Sequence, residues 1–373
     1  MHTYLTAEIS TGAVRHNLAL LRERIGEGVK LCAVVKADGY GHGLDVLLDV
    51  LTEAADAFAV ATPAEAIQLR ELGCRKPVLL FLPPCAGDAG SETRGELIRR
   101  DVTMTLVSPA EVSAVGAAAR RRGVEARVHV KVDTGIGRRG VLPAAAPRLI
   151  EQVRAEPGLR LTGLYTHLAT ADEADKAPAR EQLARFGAVV EQVCGREGLV
   201  LHAANSAAAI DLPEARLDMV RPGIALYGYQ PSDEMLTKLP LRPALRLTAP
   251  LIERKTLRAG DRCGYGLTFT FTADTPVGLV PVGYADGYPR ELSNRATMRI
   301  GGRDVPVRGR VSMDQTILDL TDLPDAAVGD EVEIYSPDPD APHSIESLAR
   351  LYGTIPYELT CRLGRRVRRV RGV

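Results

Sequence analysis

Short apolar runs alternate with longer amphipathic stretches through the first two thirds of the chain. Each run has the length and composition of a buried strand. The eight runs are LCAVVK (31–36), DAFAVA (56–61), PVLLFL (77–82), VTMTLV (102–107), ARVHVKVD (126–133), RLTGLYTH (160–167), VLHAANS (200–206) and LDMVRPG (217–223). Two intervening stretches begin with Pro-Ala-Glu after Thr62 or Ser108, which predicts a capped helix start with proline at the first helical position.

Eight strands alternating with helices, over roughly the first 235 residues, match the count of a (β/α)8 barrel. A doubly wound open sheet is the alternative, because strand count alone does not exclude it. After about residue 238 strand-like runs with Gly/Pro turns dominate, and KLPLRP (238–243) is a plausible junction. The prediction is an α/β fold: an N-terminal (β/α)8 TIM-type barrel over 1–238 and a mainly-β C-terminal domain over 239–373.

Composition narrows the class of protein. The chain has 373 residues, a formal net charge of zero and 45% hydrophobic residues, so it has no overall attraction to nucleic acid or membrane. Its six scattered cysteines form no CxxC pair and are expected to be reduced thiols. The N-terminus lacks a signal-peptide pattern and no run is long enough to cross a bilayer, so we expect a cytoplasmic protein. The Arg-rich RLGRRVRRVRGV end is interpreted as a strand or solvated terminus.

The candidate chemistry lies where the predicted strands end. Lys36 closes the first strand, inside AVVKADGYGHG, where an unpaired buried ammonium would be costly. In a barrel the carboxyl ends of all strands meet on one rim, which is where active sites lie. The other polar groups expected there are Lys131, Asp133, Arg138, His167, Asn205, Ser206, Arg221 and the Gly223–Ile224 backbone.

A reactive lysine beside a phosphate site predicts pyridoxal phosphate held as a Schiff base. Ser206 and the RPGI loop can donate hydrogen bonds to phosphate, as loops after the last two barrel strands often do. A cofactor-free Schiff-base aldolase is the competing interpretation. GIGRRG (135–140) fits a dinucleotide fingerprint, but a lone GxGxxG is weak evidence, and no metal-ligand spacing is present, so neither NAD nor a metal is predicted.

Nine motifs in sequence order resemble those of alanine racemases, over essentially the whole chain. They are AVVKADGYGHG, KVDTGIGRRG, YTHLATADE, NSAAAI, VRPGIALYG, CGYGLTF, GYADGYPR, GRVSMDQ and TIPYE. This resemblance implies a pyridoxal phosphate enzyme with a barrel and a β domain. It also implies a homodimer in which each active site is completed by the partner's second domain.

The resemblance assigns roles to individual residues. Lys36 would carry the cofactor and act as base on one face of the substrate, and Tyr265 would be the base on the other face, from the partner chain. Arg221 would face the pyridine nitrogen, and it and His167 would supply positive charge to the site. The remaining implied contacts are Arg138 for the phenolic oxygen or the substrate carboxylate, Tyr40, Ser206, Gly223, Ile224 and Tyr357 for the phosphate, Asn205 for the cofactor, and Tyr284 and Met313, supported by Asp314, for the substrate.

Two basic residues depart from simple expectations. Lys131 occupies a position that is carbamylated in some family members, and an ordinary lysine is an equally good interpretation. Arg139 stands where the family usually has leucine, and we interpret it as a solvated side chain. His42 and His129 are taken as structural.

Two other functions stay open at this point. A related decarboxylase of basic amino acids would need an acidic group near the pyridine nitrogen, where Arg221 stands. A pyridoxal-phosphate homeostasis protein on the bare barrel would have no use for Tyr265 or Met313. The resemblance favours interconversion of L- and D-alanine, supplying D-alanine for peptidoglycan, with substrate breadth left open.

Overall fold

Eight parallel strands form a closed barrel in this computed structural model, which describes residues 4–83, 87–193, 195 and 197–372. The strands are Lys30–Val34, Ala57–Val60, Val78–Leu80, Val102–Leu106, Ala126–Lys131, Leu159–Tyr165, Val200–His202 and Met219–Val220. The first strand pairs with the second and also with the eighth, where Lys30 lies opposite Met219. Backbone bonds from Asp218 N to Leu201 O (3.0 Å) and from Arg221 N to Ala204 O (2.9 Å) close the ring. The barrel prediction is confirmed and the open sheet is excluded.

Helices connect the strands and cover the barrel. They are Thr11–Ile25, Lys36–Tyr40, Leu44–Ala54, Pro63–Glu71, Gly87–Arg99, Pro109–Arg120, Ala146–Ala155, Ala177–Glu191 and Ser206–Asp211, with 3-10 turns at Pro143–Ala145, Pro213–Ala215 and Ile224–Tyr227. Both predicted caps are confirmed: the Thr62 side chain accepts from Glu65 N and that of Ser108 from Glu111 N. Each cap satisfies an N–H that the helix itself leaves unpaired.

A nine-stranded sheet forms the mainly β part of the chain, as predicted. In spatial order its strands are Glu253–Leu257, Thr275–Val280, Thr316–Asp319, Arg303–Arg308, Thr297–Ile300, Glu331–Tyr335, Leu245–Pro250, Thr6–Ser10 and Arg368–Gly372. The same part of the chain contains a two-stranded ribbon, formed by Arg262–Cys263 and Phe269–Thr270. It also contains the 3-10 turns Tyr265–Leu267 and Arg290–Leu292 and the helices Ile345–Tyr352 and Pro356–Cys361. The sequence pattern did not indicate that Thr6–Ser10 would join this sheet.

Two smaller observations bear on the sequence-based expectations. Within the described ranges, no helix is both long and apolar enough to cross a membrane. Cys32, Cys74, Cys263 and Cys361 are unpaired, and Cys85 and Cys194 lie outside the described residues.

Candidate active site

Lys36 begins a short helical turn with an unusual backbone. Ala37, Asp38 and Tyr40 have φ values of 52°, 54° and 55°, and Gly39 has 63°, so the turn is left-handed. For residues with a side chain this conformation costs about 1–2 kcal/mol each. Such strain persists only where surrounding contacts hold it, and it is frequent at functional sites.

The contacts that hold this turn come from both parts of the chain. The Asp38 carboxylate accepts from Leu44 N (2.8 Å) and Glu65 accepts from Ala37 N (2.8 Å). From the C-terminal part, Arg369 Nε donates to Gly41 O (3.0 Å). A Cβ on Gly41 would lie 2.0 Å from the Thr360 carbonyl oxygen, so only glycine allows the Pro356–Cys361 helix to approach this closely. The Arg-rich end therefore forms a strand and also fixes the Lys36 loop.

A cavity of about 550 Å³ opens at the carboxyl ends of the barrel strands. It contains most of the residues singled out from the sequence. Those that line it are Lys36, Tyr40, Lys131, Arg138, His167, Asn205, Ser206, Arg221, Gly223, Ile224 and Tyr357, with Val34, Ala61, Phe81, Leu82, Arg139 and Tyr165 beside them. Five of these side chains are cationic, and none of the described lining residues is Asp or Glu. The cavity is therefore built for an anionic ligand.

Crowding of cations changes the acidity of the two lysines. Burial, followed by the charge of Arg138, lowers the pKa of Lys36. The same two causes lower the pKa of Lys131 to about 8. Both effects disfavour the ammonium form, so near neutral pH more of each amine is free to act as a base or nucleophile than in an exposed lysine.

Arg221 is buried and is held by neutral partners. Its Nη1 donates to His202 Nδ1 (2.7 Å), and its Nη2 donates to the backbone oxygens of Thr166 (2.8 Å) and Ala203 (3.0 Å). The guanidinium carbon lies 5.2 Å from the Tyr165 ring centroid. Burial lowers the pKa of Arg221 to about 10, so the side chain remains a cation at neutral pH.

His167 does not supply the positive charge expected of it. Its Nδ1 lies 3.5 Å from Arg221 Nη2, which can only donate. Burial, and then the charge of Arg221, lower the pKa of His167 well below its usual value, so the ring is neutral near pH 7. Arg221 is therefore the fixed positive charge of this pair, and the expectation for His167 is wrong.

Ser206, Gly223 and the Tyr40 hydroxyl lie close together at the end of the cavity proposed for phosphate. Ser206 Oγ accepts from Gly223 N (2.8 Å), which leaves the Ser206 hydrogen available to donate. A Cβ on Gly223 would lie 2.4 Å from the Tyr40 hydroxyl, so glycine is needed for that close approach. Asn205 Oδ1 caps the helix that follows by accepting from Ala208 N (3.0 Å). Asn205 therefore has a structural task besides lining the cavity.

Arg139 is not solvated as expected. Its side chain is 18% exposed, and Nη2 donates to Thr105 O (3.0 Å) and to Glu111 Oε1 (2.9 Å). It lines the cavity, and its Nη1 is buried without a hydrogen-bond partner among the described residues. The interpretation as a surface side chain is corrected for this reason.

The GIGRRG loop is shaped by a neighbouring carboxylate. Asp133 Oδ1 accepts from Gly135 N (3.1 Å) and Gly137 N (3.2 Å), and the loop leads into a 3-10 turn rather than directly into a helix. In a dinucleotide fingerprint the backbone at the start of the helix would face the ligand phosphates. The hydrogen bonds to Asp133 thus explain the GIGRRG motif without a bound dinucleotide.

Three residues expected at the site lie elsewhere in this chain. Tyr265, Tyr284 and Met313 are 68%, 43% and 51% exposed and do not line the cavity. Tyr284 N donates to Ser312 O (3.1 Å), and a Cβ on Gly264 would lie 2.6 Å from Arg310 N, so the three residues sit on neighbouring segments. Asp314 accepts from Arg366 Nη1 (2.8 Å) beside them. We call Tyr265, Tyr284 and Met313 the exposed patch.

The sequence analysis missed His202 and Tyr165. His202 is fully buried and bonds both Arg221 and, through Nε2, His129 Nδ1 (3.0 Å), while its ring stacks on Tyr165 at 4.7 Å between centroids. His129 thus belongs to this network instead of serving only as packing. Tyr165 stands near the end of its predicted strand, which was an available signal, whereas His202 is the third residue of its predicted strand and had no such signal.

Comparison with known proteins agrees with this geometry. Residues 9–231 match the family model "Alanine racemase, N-terminal domain" and residues 244–371 match "Alanine racemase, C-terminal domain". The alanine racemase of Desulforamulus reducens is 41% identical, covering 98% of this chain and 98% of that protein.

Solved structures give the same result. Alanine racemase from D-cycloserine-producing Streptomyces lavendulae has a TM-score of 0.91 and 37% identity, covering 100% of this chain and 98% of that one. The alanine racemase of Clostridium difficile 630 in complex with cycloserine has a TM-score of 0.88 and 34% identity, covering 98% and 95%. With both domain models and full-length relatives in agreement, the chain belongs to the alanine racemase family.

Proposed function

We propose that this protein interconverts L-alanine and D-alanine with pyridoxal phosphate bound in the cavity around Lys36. The observation that carries the proposal is the cavity itself, which has Lys36 on its wall and cations without a lining carboxylate. The family and its cycloserine-bound member from Clostridium difficile support alanine, or a molecule of similar size, as the substrate.

The donor set fits pyridoxal phosphate. Tyr40, Ser206, Tyr357 and the Gly223–Ile224 backbone would hold the phosphate, Arg221 would face the ring nitrogen, and Lys36 would carry the aldehyde carbon as a Schiff base. His167 and Asn205 would line the ring, and Arg138 would take the phenolic oxygen or the substrate carboxylate. Once bound, the cofactor withdraws electrons from the substrate Cα, which makes the α-proton acidic enough to remove.

Lys36 acts as base on one face of the substrate. An amine must be unprotonated to accept a proton, and burial together with Arg138 favours that state of Lys36. The left-handed turn fixes the lysine backbone while leaving its long side chain free to reach Cα. Lys36 would remove the α-proton from one enantiomer of alanine and return a proton to the same face in the reverse direction.

Tyr265 of the partner subunit would serve the opposite face. Tyr265 is exposed in this chain and does not line its own cavity, so a second copy would have to place it over Lys36. Tyr284 and Met313 of the same partner would close over the substrate. We therefore propose a homodimer of two-domain chains divided near residue 238, acting in the cytoplasm to supply D-alanine for peptidoglycan.

Arg221 would decide the outcome of the reaction. Arg221, a permanent cation, would disfavour a proton on the ring nitrogen of the cofactor, which would limit electron withdrawal and favour rapid return of the proton to the substrate Cα. A decarboxylase of basic amino acids would need an acid there, and the described lining has none. A homeostasis protein would not need the second domain, which also matches its family model.

Lys131 is proposed to be carbamylated. With a pKa lowered to about 8, its amine is partly neutral near pH 7 and can react with carbon dioxide, releasing a proton. The resulting carbamate would place an anion among Arg138, Arg139 and Arg221, which otherwise face no lining carboxylate. A carbamate carbon signal from protein equilibrated with carbon-13-labelled bicarbonate, lost in Lys131→Gln, would support this; its absence from the unaltered protein would refute it.

The test of the whole proposal is exchange in heavy water. The purified protein, with pyridoxal phosphate, is incubated with a panel of L-amino acids, and chirality and Cα deuterium are read together. Deuterated D-alanine as the main product is the expected result. Preference for another amino acid would change the substrate only, whereas retained cofactor with no exchange on any amino acid would contradict a racemase.

A further inference from the structure

A second cavity, of about 470 Å³, lies at the opposite end of the barrel, where the strands begin. Lys30, Arg127 and Arg160 stand around it with a single carboxylate, Asp56. That carboxylate already accepts from Arg22 Nη2 (2.9 Å) and Leu31 N (2.7 Å). We call this cavity the lower mouth.

Two of the cations at the lower mouth have no counter-charge. Arg127 Nη1 pairs with Asp101 at 3.2 Å. Lys30 and Arg160 are exposed and form no ion pair with any residue that the structure describes. Among the residues that line the lower mouth, three are cationic and one, Asp56, is a carboxylate that already pairs with Arg22, so the lining has an excess of positive charge.

His129 forms the inner wall of the lower mouth and is 7% exposed. The barrel makes room for its ring in two ways. The pairing of its strand with the next one shifts between Val128 and His129, so that Val128 lies opposite Leu161 but His129 opposite Gly163. A Cβ on Gly163 would lie 2.7 Å from His129 Nε2. A register shift and a glycine at one point are devices that aim a side chain.

Arg221 fixes the direction of the hydrogen bonds that reach His129. A guanidinium can only donate, so His202 Nδ1 accepts its bond at 2.7 Å. Burial, and then the charge of Arg221, lower the pKa of His202 well below its usual value and that of His129 to about 3. Both rings are therefore neutral and carry one N–H each.

The position of each proton follows from that direction. With Nδ1 accepting, His202 carries its proton on Nε2 and donates it to His129 Nδ1 at 3.0 Å. His129 then carries its own proton on Nε2, which has no hydrogen-bond partner among the described side chains and carbonyls. The chain from Arg221 through His202 to His129 therefore ends at an N–H of His129, which lines the lower mouth.

An N–H donor beside cations that have no ion-pair partner is an arrangement that binds anions. We propose that the lower mouth binds a small oxoanion and that its occupancy is transmitted to Arg221 through His129 and His202. The link follows because hydrogen bonds in a chain polarise one another, so an acceptor on His129 strengthens each bond up to Arg221. This site goes beyond the proposed racemase activity and lies on the other side of the barrel from it.

The test uses inorganic phosphate and the protein saturated with pyridoxal phosphate, so that the Lys36 cavity is not the phosphate acceptor. Histidine ring nitrogens are followed by NMR during a phosphate titration. We expect saturable shifts of His129 and smaller, parallel shifts of His202. The double variant Lys30→Gln with Arg160→Gln should weaken the apparent affinity about tenfold, whereas Arg148→Gln, which removes an exposed arginine elsewhere, should not.

Three results would overturn the proposal. Shifts that do not saturate, or equal affinity in the double variant and in Arg148→Gln, would show that the lower mouth is not the site. Saturable shifts of His129 with none at His202 would disprove the link to Arg221. The readout does not depend on turnover, so it separates this proposal from the racemase assignment.

Discussion

The Lys36 cavity and the exposed patch are opposites in the same chain. The cavity is recessed and cationic, and its residues come from seven of the eight barrel strands or the segments after them, together with Tyr357. Tyr265, Tyr284 and Met313 of the patch are large side chains left in contact with solvent. Exposed clusters of apolar and aromatic groups commonly mark interaction surfaces.

This contrast shows how the proposed work is divided. In the proposal, cofactor binding, positive charge and one base would be complete within a single barrel. The proposed second base, Tyr265, and the proposed substrate contacts Tyr284 and Met313 are exposed, where they would serve the active site of another copy. A single chain would therefore bind the cofactor but would not catalyse racemisation.

The largest effect should follow from removing the reactive amine of the cavity. Lys36→Ala should lower racemase activity by about a thousandfold or more, because it deletes both the cofactor attachment and one base. Chiral assay of alanine measures the loss. Lys255→Ala, at an exposed lysine paired with Glu253, is the matched control and should retain activity. Comparable losses in the two variants would mean that Lys36 has no special role.

Inactivating the cavity in one chain and the exposed patch in the other tests the proposed division of roles directly. Tyr265→Phe alone should lose activity about a hundredfold or more, because it removes the second base. Mixing refolded Lys36→Ala with Tyr265→Phe should then restore about a quarter of full activity, since half of random dimers are mixed and each has one intact site. Restoration absent at every mixing ratio would place Tyr265 and Lys36 in one chain.

Changing the charge inside the cavity should redirect the chemistry while leaving the patch intact. Arg221→Glu should raise transamination relative to racemisation by about tenfold or more, because an anion at that position favours a protonated ring nitrogen. Pyruvate formed per racemisation event is the measure. Arg221→Lys keeps a cation and should change this ratio less. Unchanged partitioning in Arg221→Glu would contradict the proposed role.

The smallest effect should come from trimming the patch. Met313→Ala should raise KM for alanine by at most about tenfold and leave cofactor absorbance unchanged, because it removes only a wall of the substrate site. Leu142→Ala, at another exposed apolar residue, is the control and should have no effect. A change in cofactor absorbance in Met313→Ala would show that the two regions are not separate within the assembly.

The barrel was predictable because each buried parallel strand leaves a short apolar run, and Lys36 stood out because its charge ended such a run. The left-handed turn after it was not predictable, since Ala37 and Asp38 are held there by Glu65, Leu44 and residues of the C-terminal part. Local conformational propensity does not reflect contacts with residues that are distant in the sequence.

The remaining misses have the same origin. Arg139 looked like a surface residue because it lies in a loop and its partner, Glu111, lies on the helix Pro109–Arg120, earlier in the chain. His202 was passed over because its importance depends on Arg221 and His129, which come from two other strands. Tyr265 was assigned only through family resemblance, since an exposed tyrosine in a glycine turn has no local feature of a base.

The strand Thr6–Ser10 has a consequence for how the protein is made. It lies between Leu245–Pro250 and Arg368–Gly372, so one of its partners leaves the ribosome long after Thr6–Ser10 does. At about 5–20 residues per second, the opening strand waits roughly 20–70 s for that neighbour. The strand Arg368–Gly372 also contains Arg369, whose Nε donates a hydrogen bond to Gly41 O in the Lys36 loop. A nascent chain therefore cannot complete the contacts of the Lys36 loop until the strand Arg368–Gly372 has been synthesised.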